Sequence, residues 1–134
     1  MKKYKLFTLP GSEQLAAKLL MDSHIESGDF VHHQFPDGES YIRVLSSVRD
    51  APCVILADFR KPNDLILPIC FLAKTLKSVG ALKVILVAPY LAYMRQDVVF
   101  KEGEGITSHY FASLLSSCVD ELVTIDPHLH RIKS

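Results

Sequence analysis

Three short, mostly apolar segments constrain this chain more than any other feature: Cys53–Ala57, Val84–Ala88 and, with Thr124 inside it, Leu122–Ile125. A strand with one wet face alternates apolar and polar residues, whereas an unbroken apolar run of this length suits a strand covered on both sides. The intervals between the runs have helical period. Leu65, Ile66, Ile69, Cys70, Ala73 and Leu76 form one stripe, with Asn63 as the expected N-cap. Pro68 lies in the first turns, where a missing N–H costs least, and Gly80 closes the segment at the position after the C-cap. Phe111, Ala112, Leu115 and Cys118 form a second stripe, opened by Thr107 or Ser108. Buried strands separated by helices imply parallel βαβ units.

The first third is less regular. Tyr4–Leu9 reads as a strand, ended by Pro10-Gly11, and Ser12 is the expected N-cap of a helix carrying Leu15, Ala16, Leu19 and Leu20. Gly28 interrupts the chain before a second strand, Phe30–Phe35. Pro36-Asp37-Gly38 is a turn signal, and Ser40–Leu45 reads as the returning strand. The expected fold class is therefore α/β: a mostly parallel sheet with helices on both faces plus an edge β-hairpin.

The totals exclude several classes. With 134 residues there is room for one domain with a real core. Lys plus Arg and Asp plus Glu both number 15, so no global basic field exists to hold nucleic acid or an anionic membrane. No apolar run approaches the ~20 residues that span a bilayer. The expectation is a cytoplasmic protein with neither nucleic-acid nor membrane partners. Cys53, Cys70 and Cys118 are scattered in apolar runs without CxxC spacing and read as small buried hydrophobes in a reducing compartment.

In open α/β sheets, ligands bind beyond the carboxyl ends of the strands. Asp58, Arg60, Lys61 and Asn63 follow the first apolar run. Tyr90, Tyr93, Arg95, Gln96 and Asp97 follow the second, and Asp126, His128 and His130 follow the third. Neither a Walker loop nor a G-x-G-x-x-G is present, so any nucleotide is held without them.

Three segments carry a resemblance: Phe35-Pro36-Asp37-Gly38-Glu39-x-Tyr41-Ile42-Arg43, Pro89-Tyr90-x-x-Tyr93-x-Arg95-Gln96-Asp97, and Asp126-Pro127-His128. In order and spacing the chain resembles the N-terminal domain of ribose-phosphate diphosphokinases, which implies a type I phosphoribosyltransferase-like fold for this N-terminal domain. The resemblance implies that residues 1–134 form a single ATP-binding domain and that a C-terminal catalytic domain lies outside this chain. The implied reaction transfers diphosphate from ATP to ribose 5-phosphate, giving 5-phosphoribosyl 1-diphosphate and AMP, with Mg²⁺. A non-catalytic regulatory or oligomerisation homologue is the alternative.

The resemblance also implies roles. Phe35 and Arg95 correspond to the pair that sandwiches adenine, a contact in which stacking on each face is physically sensible. Asp37, Gly38 and Glu39 correspond to the hairpin tip that meets the base and sugar, and Gln96 and Asp97 to the stretch beside the arginine. Lys101 is the one cation in a loop that is usually more basic. His128 corresponds to a Mg²⁺-associated histidine, with His130 as second choice. In the family the hairpin reaches a neighbouring subunit, which implies a homo-oligomer of dimers assembling to a hexamer.

Overall fold

Alternation of side chains across the strands divides the apolar residues into two cores, one on each face of a central sheet. The computed structural model describes residues 2–124. In chain order the elements are β1 (Tyr4–Thr8), α1 (Glu13–Leu19), β2 (Ile25–Ser27), β3 (Phe30–Gln34), β4 (Ser40–Val44), β5 (Pro52–Leu56), α2 (Pro62–Ser78), β6 (Lys83–Val87), α3 (Thr107–Ser116) and β7 (Glu121–Val123). Five strands form a parallel sheet in the order β2-β1-β5-β6-β7.

Leu6, Val54 and Ile85 point to one face, where they meet Ala16 of α1 and the half-buried Leu15 and Leu19. Phe7, Cys53, Ile55, Val84 and Leu86 point to the other, under α2 and α3. That larger core takes Ile69, Leu72, Ala73 and Leu76 from α2 and Phe111 and Leu115 from α3. β5 is buried along its whole length, as its apolar run requires. The α/β class with helices on both faces therefore holds.

The hairpin sits elsewhere than expected. Among the described residues β3 and β4 pair only with each other, from Phe30↔Val44 to Gln34↔Ser40. The edge beside β1 is occupied by β2, a three-residue strand that the sequence reading passed over. The hairpin instead lays Phe30, Ile42 and Val44 on the larger core, with β4 against α2. Gly28 permits this crossing, because a Cβ there would come within 2.5–2.8 Å of the Phe7 ring.

Ser12 is the N-cap of α1 as expected: its carbonyl accepts from the Ala16 N–H at 3.0 Å, although its hydroxyl makes no cap hydrogen bond, and the Glu13 carboxylate accepts from the Gly11 N–H. Three further expectations are corrected. Asn63 is not the N-cap of α2, since Pro62 already lies in the first turn after Lys61. The Asn63 side chain is turned to Tyr93, whose hydroxyl donates to Oδ1. β7 is exposed rather than buried, being a short strand at the sheet edge; position 125 lies outside the described residues. Finally, Cys70 of α2 and Cys118, just beyond α3, form a disulfide with Cα atoms 5.2 Å apart. Apolar flanks conceal such a pairing, since they suit a buried thiol equally well. Cys53 remains a free buried thiol, its pKa pushed up to about 11 by desolvation.

Gly80 ends α2 as its position implies. It has φ +109°, its N–H donates to the Lys77 carbonyl at 3.1 Å, and the Ala81 N–H donates to Leu76 at 2.9 Å. This pair of bonds is a Schellman closure. Lys77 also meets Asp120 at 2.6 Å, and the other Asp120 oxygen accepts from the Val84 N–H at 2.8 Å.

Candidate functional site

All five strands of the sheet run the same way, so their carboxyl ends share one rim. The connection from β1 turns back to β2, while β5 lies on its other side; the switch in strand order falls between β1 and β5. Such a switch opens a crevice at the rim. Two cavities lie there. One, of about 300 Å³, is lined by Pro10, Gly11, Asp58, Arg60, Lys61, Asp64 and Leu65. The other, of about 540 Å³, is bounded by Arg60, Tyr90, Tyr93, Arg95, Gln96 and Thr107 among others.

Arg60 borders both, and its guanidinium pairs with Asp58 at 2.8 Å. The larger cavity therefore carries two guanidinium groups, from the exits of β5 and β6. Thr107 brings the start of α3 to its wall, and that start has no side-chain cap. The positive end of the helix dipole adds to the cationic character of the wall.

Local backbone supports this arrangement. Tyr93 has φ +65°, a left-handed conformation that costs about 1–3 kcal/mol for a side-chain-bearing residue. Its hydroxyl bond to Asn63 and its ring contact with Phe111, 5.0 Å between centroids, hold it there. The Gln96 carbonyl accepts from the Ser108 N–H at 3.2 Å, tying the loop to α3. Gln96 Nε2 is buried and makes no hydrogen bond among the described residues. A buried amide donor of this kind is costly to leave unmatched, and it stands beside the cavity.

The hairpin tip is a separate construction. The Gly38 N–H donates to the Phe35 carbonyl at 2.8 Å, and the Phe35 N–H to the Glu39 carbonyl at 2.8 Å. Pro36 and Asp37 occupy the turn, and Gly38 follows with φ +93°, which a three-residue hairpin loop requires. Asp37 Oδ1 accepts from the Glu39 N–H at 3.0 Å and sets the direction of that residue. Phe35 is 45% exposed. Its ring lies nearly perpendicular to those of His33 and Tyr41, with centroids 5.4 and 5.9 Å away, while His33 and Tyr41 stack on each other at 4.7 Å.

The candidate residues therefore fall into two groups within one chain. Arg95 and Gln96 line the large cavity, and Asp97 beside them is buried. Phe35, Asp37, Gly38 and Glu39 stand exposed at the hairpin tip and do not line that cavity. Lys101 is exposed in the loop between β6 and α3 and does not line it either. The Glu104 carboxylate accepts from the N–H groups of Phe100 and Lys101 at 3.0 and 2.8 Å and folds that loop on itself. His128 and His130 lie outside the described residues. Thr107, His33 and Tyr41 were not marked as site residues by sequence. Thr107 reads only as a helix start, and the alternation of β3 and β4 was the available signal for the ring pair.

Comparison with known proteins decides the family. The model of the N-terminal domain of ribose phosphate pyrophosphokinase matches residues 4–118. The chain belongs to this family. Ribose-phosphate pyrophosphokinase of Saccharolobus solfataricus is 43% identical over 96 residues, covering 70% of this chain and 33% of that protein. Ribose-phosphate pyrophosphokinase 2 of Archaeoglobus fulgidus is 36% identical over 124 residues, covering 92% and 42%. Among solved structures, phosphoribosylpyrophosphate synthetase from Mycobacterium smegmatis matches with a TM-score of 0.88 at 25% identity, over 98% of this chain and 45% of that one. This pyrophosphokinase N-terminal domain thus spans a third to under half of the length of these relatives.

Proposed function

We propose that this domain is the ATP-binding half of a ribose-phosphate pyrophosphokinase. In the reaction, the anomeric hydroxyl oxygen of ribose 5-phosphate bonds to the β-phosphorus of ATP. The bond from that phosphorus to the bridging oxygen breaks, AMP leaves, and the hydroxyl proton is lost. The observation that carries the reading is the large rim cavity, where Arg95, Gln96, Arg60 and the start of α3 converge in a chain of this family.

Diphosphoryl transfer depends mostly on positioning and on stabilising charge. In this reading the adenine lies between the Arg95 guanidinium of one protomer and the Phe35 ring of another. Asp37 and Glu39 accept hydrogen bonds from the base and sugar edges, and the Gln96 amide donates to the nucleotide. The ribose 5-phosphate site and the rest of the catalytic machinery belong to a second domain. The protein works in the cytoplasm as a homo-oligomer built from dimers, because the grip needs two protomers.

Magnesium is the expected metal. Among the described residues no cluster of three His, Cys, Asp or Glu side chains is placed to hold an ion.

The test is titration of MgATP into the full-length protein. Base stacking contributes ~1–3 kcal/mol, so Arg95→Ala and Phe35→Ala should each weaken binding by about tenfold. Wild-type affinity in both variants would dismiss the reading. AMP release that depends on ribose 5-phosphate is expected from the full-length protein and not from residues 1–134 alone. A full-length protein that binds MgATP without releasing AMP would instead be the regulatory homologue. The sparse charge of the loop, with Lys101 between Phe100 and Glu102, favours testing for that outcome.

A further inference from the structure

Beside Phe35, the outer face of the hairpin carries two further rings, His33 and Tyr41, that the proposed reaction does not account for. Strand alternation sends Phe30, Ile42 and Val44 inward onto the larger core. It sends His33, Tyr41 and Phe35 to the opposite side. His33 and Tyr41 are cross-strand partners, and their rings are nearly parallel, 21° apart, at 4.7 Å. Phe35 meets this stack edge-wise, at 81° to His33 and 79° to Tyr41. The arrangement holds a ring that is 45% exposed at a defined angle, although it stands next to a turn.

A lone phenylalanine beside a loop samples several rotamers, and a stacking partner must then select one of them. Two perpendicular contacts restrict the ring beforehand, so less freedom is lost when a flat ligand arrives. We infer that His33 and Tyr41 are positioning residues for the base-stacking ring of Phe35, acting on a purine through that ring without touching it. The inference rests on the adenine-grip reading above and adds to it the means by which the exposed half of the grip is held ready.

The experiment uses the full-length protein and two probes, MgATP and inorganic tripolyphosphate, which has no base. An aromatic pair contributes enough that Tyr41→Leu and His33→Ala should each weaken MgATP binding by about threefold to tenfold. Tripolyphosphate affinity should not change. Tyr41→Phe and His33→Phe keep a ring in place and should restore MgATP binding to within about twofold of wild type. Leucine fills most of the volume of the tyrosine, and a second, independent position guards against a variant that fails to fold. Unchanged MgATP affinity in Tyr41→Leu and His33→Ala, with Phe35→Ala still weakened, overturns the positioning role and leaves the grip standing. Unchanged affinity in Phe35→Ala overturns both. Equal loss for the two probes also overturns the inference, since a general loosening of the domain would then be the cause.

Discussion

Gly28 is the residue on which the crossing from β2 to the hairpin depends. Any Cβ there comes within 2.5–2.8 Å of the ring of Phe7, a fully buried side chain. Gly28→Ala is expected to destabilise the domain by about 1–3 kcal/mol, the usual range for overpacking, as read from chemical denaturation. His32 supplies a pH-dependent contribution. Burial lowers its pKa first, and the charge of His33 lowers it further. Its folded pKa is therefore below the ordinary value of about 6.5, and the unfolded chain binds the proton more readily. Stability from the neutral ring is present above pH ~6.5 and is lost as pH falls through the folded value. His32→Phe should flatten the fall in melting temperature between about pH 7 and pH 5; an equal fall in wild type and variant would exclude His32 as its source. At this scale the sequence was legible where backbone geometry alone decides, as at Gly38 and Gly80. It was illegible where a neighbour decides. Asn63 has the chemistry of an N-cap, but α2 already starts at Pro62 and the Asn63 side chain accepts from the Tyr93 hydroxyl.

Among the elements, the long ones were readable because their period persists. α2 shows its stripe over several turns, β5 is apolar throughout, and β6 is apolar from Val84 to Val87. β2 was hidden because Ile25-Glu26-Ser27 is too short to show any period. The hairpin was placed at an edge for that reason, since nothing announced that the edge was taken. The disulfide was hidden by its separation of 48 residues, which no local pattern encodes. It joins α2 to the segment that follows α3, and so fixes the helix whose first turn borders the large cavity. A loop of that size gives about 4 kcal/mol of stabilisation in the chain-entropy account. Reduction, or Cys70→Ser, is expected to lower Tm by roughly 10 °C or more. The check is a melt with and without reductant, and Cys53→Ser should leave the difference intact because its thiol is unpaired.

At the level of the molecule, the two groups of candidate residues do not line one cavity within the chain. The rim cavity holds Arg95 and Gln96, and the tip holds Phe35, Asp37 and Glu39. Their types and spacing were legible from sequence, and the resemblance implied a hairpin that serves a neighbouring subunit; how the hairpin leaves the sheet was not legible. If the grip is completed by a second protomer, nucleotide binding and self-association are linked by mass action. Apparent MgATP affinity should then fall on dilution of the protein, in parallel with dissociation measured by sedimentation. Affinity that is constant across dissociation would place the whole site in one protomer.

The hairpin ladder is closed upon itself: β3 and β4 exchange hydrogen bonds with each other and none with the five-stranded sheet. Its attachment is through apolar side chains, with β4 lying against α2 and the Phe30 ring meeting Phe7 of β1 edge-on. Such an arm has its own opening equilibrium. In deuterated solvent its amides should exchange together as one block, sooner than those of β5, and ligand capture at the tip should slow that block while the sheet keeps its own pace.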